Sequence, residues 1–478
     1  MCSEAIEHAA DLAVQGIFGP LAAVSARAAV PAGGTPRVQC ADRRQAVVSW
    51  DTLDERLAED HQARLVWAYV EAADLALLYE KIKAVEGWAG RRPIDPKILL
   101  ALWLYATLDG VGSAREIDRL CGQHDAYRWI CGGVSVNYHS ISDFRTDHVE
   151  FLDQLLSDSV AALMQEGLVT LNRVAQDGVR VRASAGADSY RRRPTLEECQ
   201  AEAEEQVRKL REELDAAPGA VSKRQQAARV RAARERSERL ERALAQMQEL
   251  EKKRQAQAKQ EPAAEDRPKD DQDKDKEDKG KKKEPSPPRV STTDPESPVM
   301  KMGDGGFRPA FNLEFATDTG AQIITGVDAV ASGSDQGQMV PMVQQHEDRY
   351  DRKPGEMLVD GGFAKKAGIE QASSDGVTVY APVQKPRKAE QDRYARRPGD
   401  SDSIAEWRKR MGTEEGKTIY KERAATAECV NALARNRGLQ QFLVRGLEKV
   451  KAVALMFALA HNLVRAAALR SQLAAVAG

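Results

Sequence analysis

The chain predicts an α/β fold: a mixed sheet preceded by a helical region and interrupted by a helical hairpin. Three observations carry this. Leu171–Ser184 reads as a strand that alternates from Val179 onward, with Val179, Val181 and Ala183 on one face and Arg180, Arg182 and Ser184 on the other. Short apolar runs alternating with helical patterns follow from Met300 onward. Between the two lie charged amphipathic helices around Ala217-Pro218-Gly219.

Residues 1–48 hold a weak helix and PAGGTP and read as a loosely held tail. Its acidic Glu4 and Glu7 and its interrupted apolar run do not fit a signal peptide. Residues 49–168 read as a helical region. Leu53, Leu57, Leu65, Val66 and Tyr69 form one stripe, and Pro96 opens a buried helix through Leu99–Leu104 that Gly110 stops. Ser113 is an N-cap. Short helices joined by glycine turns, the last starting near Ser140, have a helix-turn-helix layout. An ordinary helical bundle with polar outer faces is the plainer alternative.

The sheet occupies residues 169–190 and 292–478, and its 354–383 strands are expected as parallel neighbours of the first. Residues 191–257 form the hairpin, with Val207, Leu210, Leu240, Leu244, Met247 and Leu250 along its seam. Residues 258–291 are a charged low-complexity segment with little to bury, expected to be disordered. A final apolar helix runs over Val450–Leu469.

A chain of 478 residues, 30% charged and only 5% aromatic, fits a helix-rich protein of two or three domains. The net charge of −2 hides an asymmetry: from Lys385 onward there are 19 Lys/Arg against 10 Asp/Glu, so a polyanion is expected near the C-terminal half. Six cysteines without a CxxC pair suit a reducing cytoplasm. Cys121, His124, Cys131 and His139 match no common zinc spacing. No run of 18 apolar residues occurs, so no membrane span is expected.

Chemistry points to three acids. Asp177 sits inside the first strand, Asp360 closes a later one before Gly361 and Gly362, and Glu428 lies on a late helix with Asn431 and Arg435 on the same face. Each has a plainer reading: a strand-end turn former, a helix cap, a surface ion pair. Together, carboxylates from distant segments gathered by one sheet are what a two-metal phosphodiester site requires.

Several stretches resemble bacterial insertion-sequence transposases of the DDE type. They are DPKILLALWLYATLDGVGSAREIDRL, YRWICGGVSVNYHSISDFR, AQDGVRVRASAG, MLVDGGF and YKERAATAECVNALARNRGLQQFLVRGLEKVKAVALMFALAHNL. The resemblance covers about residues 50–190 and 292–470. It implies a ribonuclease-H-like catalytic domain with Asp177, Asp360 and Glu428 as catalytic acids and metal ligands. It implies two Mg²⁺ ions, with Mn²⁺ as a substitute, and two steps: hydrolysis at the element's end, then strand transfer.

Partners implied are terminal inverted repeats and target DNA, with a homodimer in the DNA complex and a cytoplasmic, nucleoid-associated location. Sequence reading falls to the N-terminal helical domain, with Asn137–Arg145 as contact helix through Asn137, His139, Ser140, Ser142 and Arg145. Arg423, Arg435, Arg437 and the Lys385–Arg397 loop are phosphate-contact candidates. Two departures stand out. Gly361 and Phe363 replace a Lys and a Tyr common in relatives. The pattern Tyr-x2-Arg-x3-Glu-x6-Lys becomes Tyr420, Arg423, Glu428 and Arg435, with one extra residue before the glutamate. A nuclease of the same fold without strand transfer, and a DNA-binding protein with a dead core, are the alternatives.

Overall fold

A computed structural model describes residues 50–84, 92–216, 223–260, 287–385 and 392–477. The tail, the Pro-Gly turn, most of the charged segment and part of the Lys385–Arg397 loop lie outside these.

Among the described residues seven helices come first: α1 (Gln62–Ala72), α2 (Ala76–Glu80), α3 (Pro96–Leu108), α4 (Ala114–Gln123), α5 (Asp125–Cys131), α6 (Tyr138–Asp147) and α7 (Val149–Gln165). Their starts follow capping chemistry. Asp95 accepts from the Lys97 amide just before Pro96, Ser113 caps α4, and Asn137 Oδ1 accepts from the Ser140 amide at 3.0 Å. Helix α6 therefore begins at Tyr138, two residues before the expected start. Helix α3 is buried through nearly its whole length, which explains its lack of a polar face.

Strand β1 (Arg173–Arg182) is the middle of the main sheet. The hairpin then intervenes: β2 (Tyr190–Arg191), α8 (Arg193–Ala216) and α9 (Lys223–Gln260). Leu196, Ala203, Leu240, Ala243 and Met247 form its own small core, and Arg193 pairs with Glu251 across it. Strand β3 (Val290–Ser291) returns antiparallel to β2. The expected disordered stretch 258–291 is thus too wide at both ends. Helix α9 continues to Gln260, and Val290 and Ser291 are buried because they close the neck of the hairpin.

Strands β4 (Val299–Lys301), β5 (Phe307–Asp318) and β6 (Ile324–Val330) come next, then α10 (Met339–Tyr350), β7 (Glu356–Leu358), α11 (Lys366–Ser374) and β8 (Thr378–Tyr380). The sheet runs β4-β5-β1-β7-β8, with β6 also on β5. Strand β5 is antiparallel to β1 and to β6, and β7 is parallel to β1. Strand β8 is parallel to β7, one place further from β1 than expected.

The chain ends in α12 (Asp402–Gly412), α13 (Glu414–Arg423), a π turn (Ala424–Glu428), α14 (Cys429–Asn436) and α15 (Leu447–Ala477). Helix α15 packs on β6, α7 and α3, so one hydrophobic core runs through helical region and sheet. Its segment Leu447–Ala475 is long and apolar enough to cross a membrane, yet 67% of that apolar window is buried inside the protein. Phe457 packs on Phe315 with ring centres 5.5 Å apart. Asn462 covers the free edge of β6: its Nδ2 donates to Ile324 O and its Oδ1 accepts from Ile324 N.

Two buried histidines make this core acid-sensitive. His346 Nε2 bonds Thr325 Oγ1 at 2.8 Å, and His461 Nε2 bonds Gln322 O at 2.9 Å. Burial, helped by Arg349 at one site and by Arg437 and Arg465 at the other, pushes each down to about 4. The unfolded chain therefore binds these protons first as pH falls below about 6.5. Stability is fully present above that value and is lost between pH 6.5 and 4, by up to about 3 kcal/mol per histidine. Thermal melts across this window should show a falling midpoint, and a flat profile would refute the assignment.

Candidate active site

The parallel register sets the site. Ala175 of β1 lies beside Leu358 of β7. Two residues beyond that pair in each chain segment are Asp177 and Asp360, so the two acids stand at the same level. Asp177 is mid-strand, opposite Phe315 of β5. Strand alternation puts it on the face of Val179 and Val181, beneath the π turn and α14. Asp360 stands two residues past the end of β7 and accepts from the Gly362 amide at 2.6 Å, while Phe363, 1% exposed, anchors the turn in the core.

Asp177 has three close partners. Its Oδ2 accepts from Asn431 Nδ2 at 3.0 Å, its Oδ1 from the Gly178 amide at 3.0 Å, and Arg423 Nη2 stands 3.1 Å from Oδ1. Burial raises the Asp177 pKa, Arg423 opposes this, and the charges of Asp360 and Glu428 add to the rise. Those same acids, with Arg423, act on Tyr420, whose phenol is raised chiefly by burial. Asp177, Asp360, Glu428, Tyr420 and Arg423 thus share one electrostatic neighbourhood.

Glu428 is reached through the π turn. Its side chain is 54% exposed and accepts from Arg423 Nη1 at 2.7 Å. The extra residue between Arg423 and Glu428 is where the helix widens from α to π. A π turn accommodates one added residue without rotating the rest of the helix, and such turns gather at functional sites. Asn431 still reaches Asp177 three residues on, whereas Arg435 is exposed.

Sequence reading missed a second acid group on the opposite face of β1. Glu314 lies across from Gly178, buried, and accepts from Asn312 Nδ2 and Gln176 Nε2. Burial, and next the Asp335 charge, push Glu314 up to about 8. Asp335 accepts from the same Asn312 amide at 2.7 Å. A Cβ at Gly178 would stand 2.9 Å from Asn312 and Asp335 atoms, and one at Gly362 2.8 Å from Asp360 and 3.3 Å from Asp335. A side chain at either glycine would have to push these amide or carboxylate groups aside. A glycine one residue after Asp177 and another two after Asp360 were the available signal.

The donors are hard oxygens. Besides the carboxylates, Asn431 is 3% exposed and its Oδ1 has no partner. That set suits a hard divalent cation. Among the described residues, though, no three acidic, histidine or cysteine groups stand close enough to hold an ion as placed. A guanidinium separates Asp177 from Glu428.

Residues 51–147 match a transposase domain family, and residues 386–467 match the transposase DDE domain family. These two matches make the chain similar to insertion-sequence DDE transposases. No curated protein and no solved structure matches it. The second match includes Glu428 and Arg435, and the first includes α6.

The DNA-contact candidates of this chain fall into three groups. Asn137, His139 and Arg435 are exposed, and Ser140 and Ser142 are half-buried, with Asn137 also serving as the α6 cap. Arg423 belongs to the acid site, and Arg437 is half-buried beside the Gly110 backbone, its pKa lowered by burial. Arg145 is a correction. It is 6% exposed, donates to Gly112 O at 2.8 Å, and lies over the Trp103 ring at 4.2 Å. It follows Ile141 by four residues, so it shares the inner face of α6 and is not presented to DNA.

Proposed function

We propose that the transposase binds the terminal inverted repeats of its element and carries out Mg²⁺-dependent phosphodiester hydrolysis and strand transfer. The acids are Asp177, Asp360 and Glu428. The observation that carries this reading is the β1–β7 register, which sets Asp360 level with Asp177 although 183 residues separate them in sequence.

A sheet with β1 central, antiparallel β5 and β6 on one side and parallel β7 and β8 on the other supports a ribonuclease-H-like catalytic domain formed by residues 169–190 and 292–478. The three carboxylates and Asn431 Oδ1 would hold the ions. Bound there, Mg²⁺ supplies Lewis-acid charge at the phosphate and makes the attacking hydroxyl more acidic. The chain's own residues do the rest. Asn431 fixes the rotamer of Asp177, Phe363 anchors the turn behind Asp360, and Arg435 offers an exposed cation to the DNA backbone.

Asn137, His139, Ser140 and Ser142 of the helical domain, residues 49–168, are the proposed end-reading surface. Pairing of two ends calls for a dimer. The experiment is incubation of the full chain with a duplex carrying the element's end and a target plasmid. Mg²⁺-dependent nicking at the end followed by joining is expected. Nicking without joining of pre-cut ends would reduce the reading to a nuclease, and no nicking would overturn it.

A further inference from the structure

We infer that Arg423 competes with divalent metal for Asp177 and Glu428, so that DNA and metal bind cooperatively, with this arginine as the coupling residue. The inference rests on the acid site proposed above and assigns Arg423 a positioning role within it.

Arg423 is 8% exposed, and its two terminal nitrogens go to different acids: Nη2 to Asp177 Oδ1 at 3.1 Å and Nη1 to Glu428 Oε1 at 2.7 Å. The π turn permits this. On a regular α-helix, residues five apart point about 140° away from each other. Over a π turn they return to one face, so one guanidinium reaches both the residue five ahead and the strand below. This side chain therefore grips one oxygen of each of two carboxylates on which a divalent cation would depend.

A guanidinium has five donors and no acceptor, and it keeps its charge at any working pH. It cannot share those oxygens with a second cation. Something must draw it off, and a phosphate is the group that fits its planar fork best. The exposures give the direction of approach. Glu428 is 54% exposed whereas Asp177 is 16% exposed, so Glu428 forms the outer wall of the site. A DNA phosphate arriving on that side meets the Glu428–Arg423 pair, whose guanidinium is held 2.7 Å behind the Glu428 carboxylate. The Arg423 Nε, buried and without a partner, is a further donor to offer. Once Arg423 turns to the phosphate, Asp177 and Glu428 are free for the metal. Linkage then requires the converse: metal on the acids raises affinity for DNA by the same factor.

The test is a Mn²⁺ titration of the full chain, reading free Mn²⁺ by electron paramagnetic resonance, with and without a mixed-sequence duplex of about 20 base pairs. A phosphate contact is blind to sequence, so the duplex need not be the element's end. For the wild type, the duplex should tighten Mn²⁺ binding by about tenfold or more. Arg423→Gln should bind Mn²⁺ about tenfold tighter than wild type without DNA, and the duplex should then add less than about threefold. Arg423→Lys, a point charge unable to bridge both acids, should fall between the two.

Unchanged or weaker Mn²⁺ binding in a folded Arg423→Gln protein overturns the inference. Asp177→Asn with Glu428→Gln separates the two failures. If Mn²⁺ binding needs those acids but ignores Arg423, the coupling alone is wrong; if it ignores the acids as well, the proposed site falls with it.

Discussion

Asp177→Asn is expected to lower Mg²⁺-dependent cleavage at the element's end by on the order of a thousandfold or more. The amide keeps the size of the side chain and can still meet Asn431, but it removes the negative charge nearest the centre of the sheet. Asp360→Asn and Glu428→Gln should cost similar factors. Any two together should cost little more than one, because residues acting as a unit are not additive. Measured without divalent metal, end binding should not weaken in any of them, since binding rests on phosphate and base contacts elsewhere. Single-turnover cleavage beside an equilibrium binding assay separates the two. A variant cleaving at the wild-type rate would remove that residue from the site.

Arg145→Ala should lower stability by about 2–4 kcal/mol and leave end binding by the folded protein unchanged. The side chain donates to Gly112 O and covers Trp103, so truncation loses a charged hydrogen bond, a desolvated cation–π contact and packing at once. Burial also lowers the arginine's pKa to about 10, a sign that the charge itself is held at a cost. Arg145→Met should accordingly be milder than Arg145→Ala. Denaturant melts with a binding assay on the same samples decide it. A tenfold loss of binding at unchanged stability would restore Arg145 to the DNA surface.

Much of the scaffold is legible from local chemistry. Strand β1 is readable because from Val179 onward its odd positions are apolar and its even ones polar, a period of two. Helix α3 is readable from an unbroken apolar run behind Asp95-Pro96, and the hairpin from two charged stripes around a Pro-Gly pair. The boundaries that slipped have specific reasons. Asn137 has the look of a contact residue but is an N-cap, which moves the start of α6. Val290 and Ser291 look like linker until β2 supplies a partner strand for them.

The acid site was legible only by kind. A mid-strand Asp, a strand-ending Asp and a helical Glu can be picked out as residues that are costly where they stand. That Asn431 would grip Asp177 was visible only as a shared face with Glu428. Arg145 misleads because a polar residue on a short helix is usually outside, and only its spacing from Ile141 hints otherwise.

By itself the sequence determined what each segment would be: which stretches are helix or strand, where caps and turns fall, and which acids sit at strand ends. These depend on propensity and on periods of 3.6 and 2, which act within a few residues. Only the tertiary structure decided what faces what. The parallel pairing of β1 with β7 levels Asp177 with Asp360, and the π turn points Arg423 and Glu428 at each other. The packing of α6 on α3 turns Arg145 inward. Those outcomes depend on contacts between segments far apart in sequence, whose register is set by the burial of one shared core rather than by any residue's own preference.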